Sequence, residues 1–246
     1  MFSVDERDRV RDAVIGMARS DERVIAGAEV GSLTQSTGDR WSDLDLTFGL
    51  AEGARVEDVL RDWTEWAVSG HGAVHLFDLQ SMSTTYRVLL FPGNLQVDVS
   101  VTPGGVARTG PKFEMLFGSA VRDDRHSPPV PRDVFGLAVH HALRARFGIE
   151  RGRLWSAQHY IADLRRETLS LACLQRGLPA RYARGFDQLP DDVLDAAAAS
   201  LVRSLEPTEL LRALRAGIAL LKQEGSGQED YERIVPLLDE LAGDMG

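Results

Sequence analysis

The chain has 246 residues, 43% hydrophobic and 26% charged, enough to bury one large core or two modest ones. Its formal net charge of −9 speaks against a protein that grips nucleic acid through a basic surface, and suits a small, cationic acceptor better. No apolar run approaches a membrane span, the charged start MFSVDERDRV is no secretory signal, and Cys173 stands alone without a disulfide partner. A reduced, cytoplasmic protein is therefore expected.

Ser3-Val4-Asp5-Glu6 fits a capping box, and Val10, Ala13, Val14 and Met17 follow at helical spacing, which predicts a first amphipathic helix. The apolar run Val24 to Val30 predicts a strand that closes in a Gly31-Ser32 turn. After ten more residues come Asp43-Leu44-Asp45-Leu46, then Thr47 and Phe48, a second strand. Alternate side chains of a strand point to opposite faces, so Asp43 and Asp45 share one face while Leu44, Leu46 and Phe48 enter the core. Two carboxylates side by side at a core edge repel, and a divalent cation offsets them; Mg²⁺ is usually bound by one or two carboxylates plus substrate phosphates. The turn upstream suits those phosphates. Glycine lets a polyanion approach the backbone, and the Ser32 hydroxyl with free N–H groups offers hydrogen bonds.

Val56, Val59, Leu60, Trp63 and Ala67 predict a second helix ending near Gly70, with Trp63 and Trp66 as packing residues. Two apolar runs follow, Ala73 to Leu79 and Thr85 to Phe91. Pro92-Gly93-Asn94 then turns into LQVDVSV. In that strand Leu95, Val97, Val99 and Val101 face one way, and Gln96, Asp98 and Ser100 the other.

The pattern apolar-Gly-Ser, ten residues, Asp-apolar-Asp-apolar resembles the signature of the DNA polymerase beta-like nucleotidyltransferase superfamily, and within it the antibiotic nucleotidyltransferases that act on kanamycin, streptomycin and lincosamides. The resemblance is most specific over about the first hundred residues. It implies an α+β fold in which a mixed sheet flanked by helices is followed by a C-terminal helical bundle. It also implies that Asp98, in its apolar-Asp-apolar setting, joins Asp43 and Asp45 in holding two Mg²⁺, and that Gly31 and Ser32 hold the phosphates of an NTP. The implied reaction moves a nucleoside monophosphate from ATP or another NTP, AMP from ATP being the first choice, to a hydroxyl of a small molecule, an aminoglycoside or lincosamide, and releases pyrophosphate. One position departs from the family. Several relatives carry an arginine three positions after the serine, where this chain has Gln35; Arg40 in the same connector is the candidate replacement.

Phe113, Met115, Leu116 and Phe117 predict a packing segment, and the proline-rich HSPPVPRD a stiff connector, which divides the chain into residues 1–129 and 130–246. The remainder predicts helices: about 132–147, about 153–175, one opened by Leu189-Pro190-Asp191, one opened by Glu206-Pro207-Thr208, and a last one broken or kinked at Pro236. Gly225-Ser226-Gly227 is expected to be a flexible loop. Leu154, Ala157, Ile161, Leu164, Thr168 and Leu171 form a bundle seam, and beside it run Ser156, Tyr160, Asp163, Glu167 and Ser170. This second stripe has two readings. It is either a flank tied by salt bridges to Arg165 or Arg166, or a cleft wall where Glu167, or in its place Asp163, takes the proton of an acceptor hydroxyl and Tyr160 stacks on a base or sugar. The adjacent His140 and His141 diverge by about 100° on a helix and make no metal pair. Two alternatives stand beside small-molecule transfer: the same chemistry on RNA or protein, and a module that binds a nucleotide without transferring it.

Overall fold

Ser3 starts the first helix in the computed structural model, which describes residues 1–35, 38–108, 112–122 and 129–243. Its hydroxyl accepts the Glu6 N–H at 3.2 Å, and the Glu6 carboxylate accepts the Ser3 N–H at 2.7 Å, which closes the capping box of α1 (Val4–Ser20). The strands that follow are β1 (Val24–Val30), β2 (Leu44–Leu50), β3 (Val74–Ser81), β4 (Thr84–Phe91), β5 (Leu95–Pro103), β6 (Val106–Arg108), β7 (Phe113–Phe117) and β8 (Ala120–Arg122), with α2 (Val56–Glu65) between β2 and β3.

Six of these strands make one mixed sheet in the order β3-β4-β5-β2-β1-β7, in which β2 and β5 run parallel and every other neighbour is antiparallel. β6 and β8 form a small parallel pair. Alternation in β2 and β5 decides which face is dry. Leu44, Leu46, Phe48, Leu50, Val97, Val99 and Val101 are all buried, in one cluster with Val14 and Ala18 of α1 and Val59, Leu60 and Trp63 of α2. Trp63 meets Phe48 edge-on at 5.1 Å, and its indole N–H donates to Asp21 at 2.9 Å, so the tryptophan is a packing residue with a satisfied polar end. On the same face Glu29 is buried at 3% exposure and paired with Arg11 at 2.6 Å. Burial of that carboxylate is tolerable because its charge is met.

The chain divides into two compact units, Met1–Ser127 and Pro128–Gly246. The second holds α3 (Pro131–Glu150), α4 (Leu154–Gln175), α5 (Asp191–Ala199), α6 (Pro207–Gly225) and α7 (Tyr231–Leu241). Its core is built on the predicted seam of α4, where Ala157, Ile161, Leu164, Thr168 and Leu171 are all fully buried. An α+β unit with a mixed sheet thus precedes a helical one, as the resemblance implied.

Two expectations are corrected here. α7 is not broken at Pro236 but continues through it, because one lost rung is outweighed by anchors on either side: Leu238 is fully buried, and the Tyr231 hydroxyl donates to the Lys222 carbonyl at 2.8 Å. Gly225 is the buried last residue of α6 rather than part of a loop. It lacks a side chain because a Cβ there would press on the Phe135 ring. Among the described residues no helix is long and apolar enough to cross a membrane.

Candidate active site

Register brings the predicted acids together. Across the sheet, Phe77 (β3), Val88 (β4), Asp98 (β5), Asp45 (β2), Val30 (β1) and Phe113 (β7) are successive pairing partners, so all six lie on the face opposite α1 and α2. Asp43 immediately precedes β2 and completes the group. One oxygen from each of Asp43, Asp45 and Asp98 lies within 4.8 Å of the others, and among the described residues no other set of three His, Cys, Asp or Glu side chains does this. All three are half-buried. Burial pushes the Asp98 carboxyl above the usual carboxylate range; the Gln96 amide, donating at 2.9 Å, opposes this, and the charge of Asp43 adds to the rise. A half-buried, mutually repelling set of hard oxygen donors fits Mg²⁺, and offers nothing of the nitrogen and sulfur character that selects zinc.

Gly31 meets this cluster from the β1 side. Its φ is +90°, and a Cβ there would collide with the Asp45 carboxylate oxygen Oδ2. The missing side chain therefore seats the acid. The Gly31 N–H is not free, as the sequence suggested, but donates to the Lys112 carbonyl at 3.2 Å, because the β1–β7 ladder extends one residue past Val30 and Phe113. The Ser32 hydroxyl donates to Ser42 Oγ at 3.0 Å. Ser42 Oγ also accepts the Asp39 N–H at 3.0 Å, and Arg7 clamps the Asp39 carbonyl at 2.7 Å. Ser42 went unnoticed in the sequence. Its signal was a hydroxyl directly before Asp43 and three residues after Asp39, the spacing of a local side-chain turn. Arg40 is exposed and lies over the Trp41 ring at 4.0 Å. The side chain of Gln35 lies outside the described residues.

No family model matches the chain, and no curated protein matches it. The solved structures similar to it at low identity include the following three. An aminoglycoside 6-adenyltransferase from Bacillus subtilis is 14% identical, with 99% of this chain and 100% of that one covered, at a TM-score of 0.41. A nucleotidyltransferase-like protein from Exiguobacterium sibiricum 255-15 is 13% identical over 92% of this chain and 78% of its own, also at 0.41. The CdnE cyclic dinucleotide synthase of Elizabethkingia meningoseptica, solved with GTP and Apcpp, is 9% identical over 95% and 89%, at 0.31. What the site does chemically has to follow from its own donor set.

In the second unit, the polar stripe of α4 is organised by Arg166, which pairs with Asp163 at 2.9 Å and Glu167 at 2.8 Å; His159 adds a contact to Asp163 at 3.3 Å. Arg165 instead donates to the Ser200 carbonyl at 3.1 Å. Either carboxylate would have to give up a guanidinium contact to serve as a base. Tyr160 packs between the rings of His141 and His159, at 5.8 and 5.2 Å, with the Arg144 guanidinium 5.5 Å from its centre.

His141 is the surprise of this unit. It is 8% exposed, and neither ring nitrogen finds a hydrogen-bond partner among the described residues. Burial holds its basicity below the ordinary histidine value, although Asp163 and Glu167 pull the other way. The folded state therefore binds fewer protons than the unfolded one just below about pH 6.5. The contribution of His141 to stability is complete above that pH and is lost as pH falls toward its lowered folded value. Replacing His141 by leucine removes two unmet polar atoms, so it is expected to raise stability by roughly 1 kcal/mol and to flatten this acid limb. Thermal melts of both proteins from neutral to mildly acidic pH check it, and a large loss of stability would mean that ring packing outweighs desolvation.

Proposed function

We propose that the protein is a Mg²⁺-dependent nucleotidyltransferase that moves AMP from ATP to a hydroxyl of a small acceptor. The observation that carries this reading is the convergence of Asp43, Asp45 and Asp98 on one sheet face, with the backbone of Gly31 against Asp45. In the reaction the acceptor oxygen bonds to the α-phosphorus and the bond from that phosphorus to the α–β bridging oxygen breaks. Pyrophosphate leaves with the electron pair, and the hydroxyl proton passes to a carboxylate.

The three acids would hold two divalent cations, which neutralise phosphate charge and make the acceptor hydroxyl more acidic when bound. Gly31 lets the phosphate chain lie close to the backbone beside Asp45. The Ser32 hydroxyl, turning from Ser42, donates to a phosphate oxygen, and Arg40, swinging off Trp41, adds positive charge. Glu167, or Asp163 in its place, is the proposed proton acceptor, and Tyr160 the proposed stacking surface. An aminoglycoside or lincosamide is the acceptor class suggested by the resemblance of the Gly-Ser and Asp-x-Asp motifs, and the net charge of −9 suits a cationic one.

Incubation with Mg²⁺ and α-labelled ATP against hydroxylated antibiotics, with cellular RNA and a protein mixture in parallel, tests the reading. The label should move to a small molecule with one pyrophosphate released per transfer. Label on RNA or protein would redirect the acceptor assignment, and ATP binding with no pyrophosphate from any acceptor would sink the transfer reaction itself.

A further inference from the structure

The acid-bearing face is unequal at its two ends. Toward β7, Ala28 and Met115 are packed with Val106 of β6 and Ala120 of β8 in a small separate cluster. Toward β3 the corresponding positions are exposed: Phe77 is 48% exposed, Leu79 57% and Tyr86 39%. These are not strays on a ragged edge. Phe77 continues the row Val88–Asp98–Asp45, and Leu79 and Tyr86 continue the next row, Ser100–Thr47. The charged residues of the same hairpin point the other way. Arg87 reaches Thr64 and the Leu60 carbonyl of α2, at 2.9 and 2.8 Å, and pairs with Asp78 at 2.6 Å. An uncharged, partly aromatic shelf thus begins one strand beyond Asp98.

We infer that this shelf, formed by Phe77, Leu79 and Tyr86, receives the acceptor, and that the acceptor is a hydroxylated molecule with an apolar or aromatic ring face. The inference rests on the transfer reading above. In a phosphoryl transfer the attacking and leaving oxygens lie roughly in line on opposite sides of the phosphorus. Gly31 and Ser32 stand on the β1 side of the acids, so phosphates held there leave toward β1. The attacking hydroxyl then comes from the opposite side along the row, over β4 and β3. An exposed apolar surface in register with a charged centre orients a ring by contact and leaves its hydroxyl to the acids. A second copy of the chain pairing along β3 is the competing occupant.

The test compares naphthyl β-glucoside with methyl β-glucoside, titrated by NMR onto the protein with Mg²⁺ and a non-hydrolysable ATP analogue. The same titrations are run on Phe77→Ser/Leu79→Ser, whose changes fall on exposed side chains. The naphthyl compound should bind the wild type about tenfold or more tightly than the methyl one. The double variant should lose that preference while keeping the thermal stabilisation by Mg²⁺ and the analogue. Equal binding of the two glucosides by the wild type, or a preference that survives in the variant, overturns the inference. So does a change of oligomeric state in the variant on sedimentation, which assigns the shelf to a subunit contact. Absence of any stabilisation of the wild type by Mg²⁺ and the analogue instead marks failure of the transfer reading.

Discussion

Asp98→Asn is expected to reduce the proposed nucleotidyl transfer by roughly a thousandfold, well beyond the 10–100-fold typical of outer-shell metal partners, and yet to stabilise the metal-free protein. The second half follows from the geometry. Burial and the nearby Asp43 carboxylate raise the Asp98 value, so the folded state holds its proton to a higher pH than the unfolded state does. Where a folded-state carboxyl value exceeds the unfolded one of about 3.9, stability falls as pH rises through the window between them, and the deficit persists above it. Asparagine keeps the shape and removes the charge. The melting temperature of metal-free Asp98→Asn should therefore match or exceed that of the wild type at neutral pH, and its profile in mild acid should be flatter. Added Mg²⁺ should stabilise the wild type and leave the variant unmoved. A metal-free variant that melts well below the wild type would identify Asp98 as a structural acid held by Gln96, and the proposed centre would lose a member.

The parts of this centre were legible to different degrees. Alternation placed Asp43 and Asp45 on one face, and Asp98 on the polar face of its own strand, since Leu44, Leu46, Val97 and Val99 had to be inside. What alternation leaves open is pairing. That β5 lies parallel to β2 with Asp98 opposite Asp45, although some fifty residues separate them, is a property of the whole sheet. The partner of the Gly31 N–H was hidden for the same reason, because Lys112 arrives on β1 from far along the chain. The open shelf was missed because Ala73 to Leu79 has the composition of a buried strand, and only the sheet order shows β3 to be an edge. In the helical unit, the α4 seam was plain from spacing, but the burial of His141 was not. A histidine in a helix carries no periodic signal of its own, and the surroundings of His141 are set by where α4 packs.

Gly31→Ala should separate the site from the fold, with Gly53→Ala as its control. Both glycines have positive φ, +90° and +84°, where an L-residue is strained, so each substitution should cost about 1–3 kcal/mol of stability. They differ in what a methyl group meets. At Gly53 there is nothing within 4 Å, whereas at Gly31 it meets Asp45 Oδ2. The obstructing atom is the tip of a side chain that rotates, so the Gly31→Ala protein should fold, with the Asp45 carboxylate turned away from Asp43 and Asp98. Misplacing a reacting group by about 1 Å can cost roughly a hundredfold in rate. Gly31→Ala is thus expected to lose about that much transfer activity and much of its stabilisation by Mg²⁺, while Gly53→Ala melts as early and transfers at nearly the wild-type rate. Measuring melting temperature, Mg²⁺ response and transfer rate on both proteins decides the matter. If the two variants lose activity equally, the loss comes from general destabilisation and the packing of Asp45 on Gly31 has no part in it; if only Gly31→Ala falls, the glycine of the turn is there to seat a carboxylate.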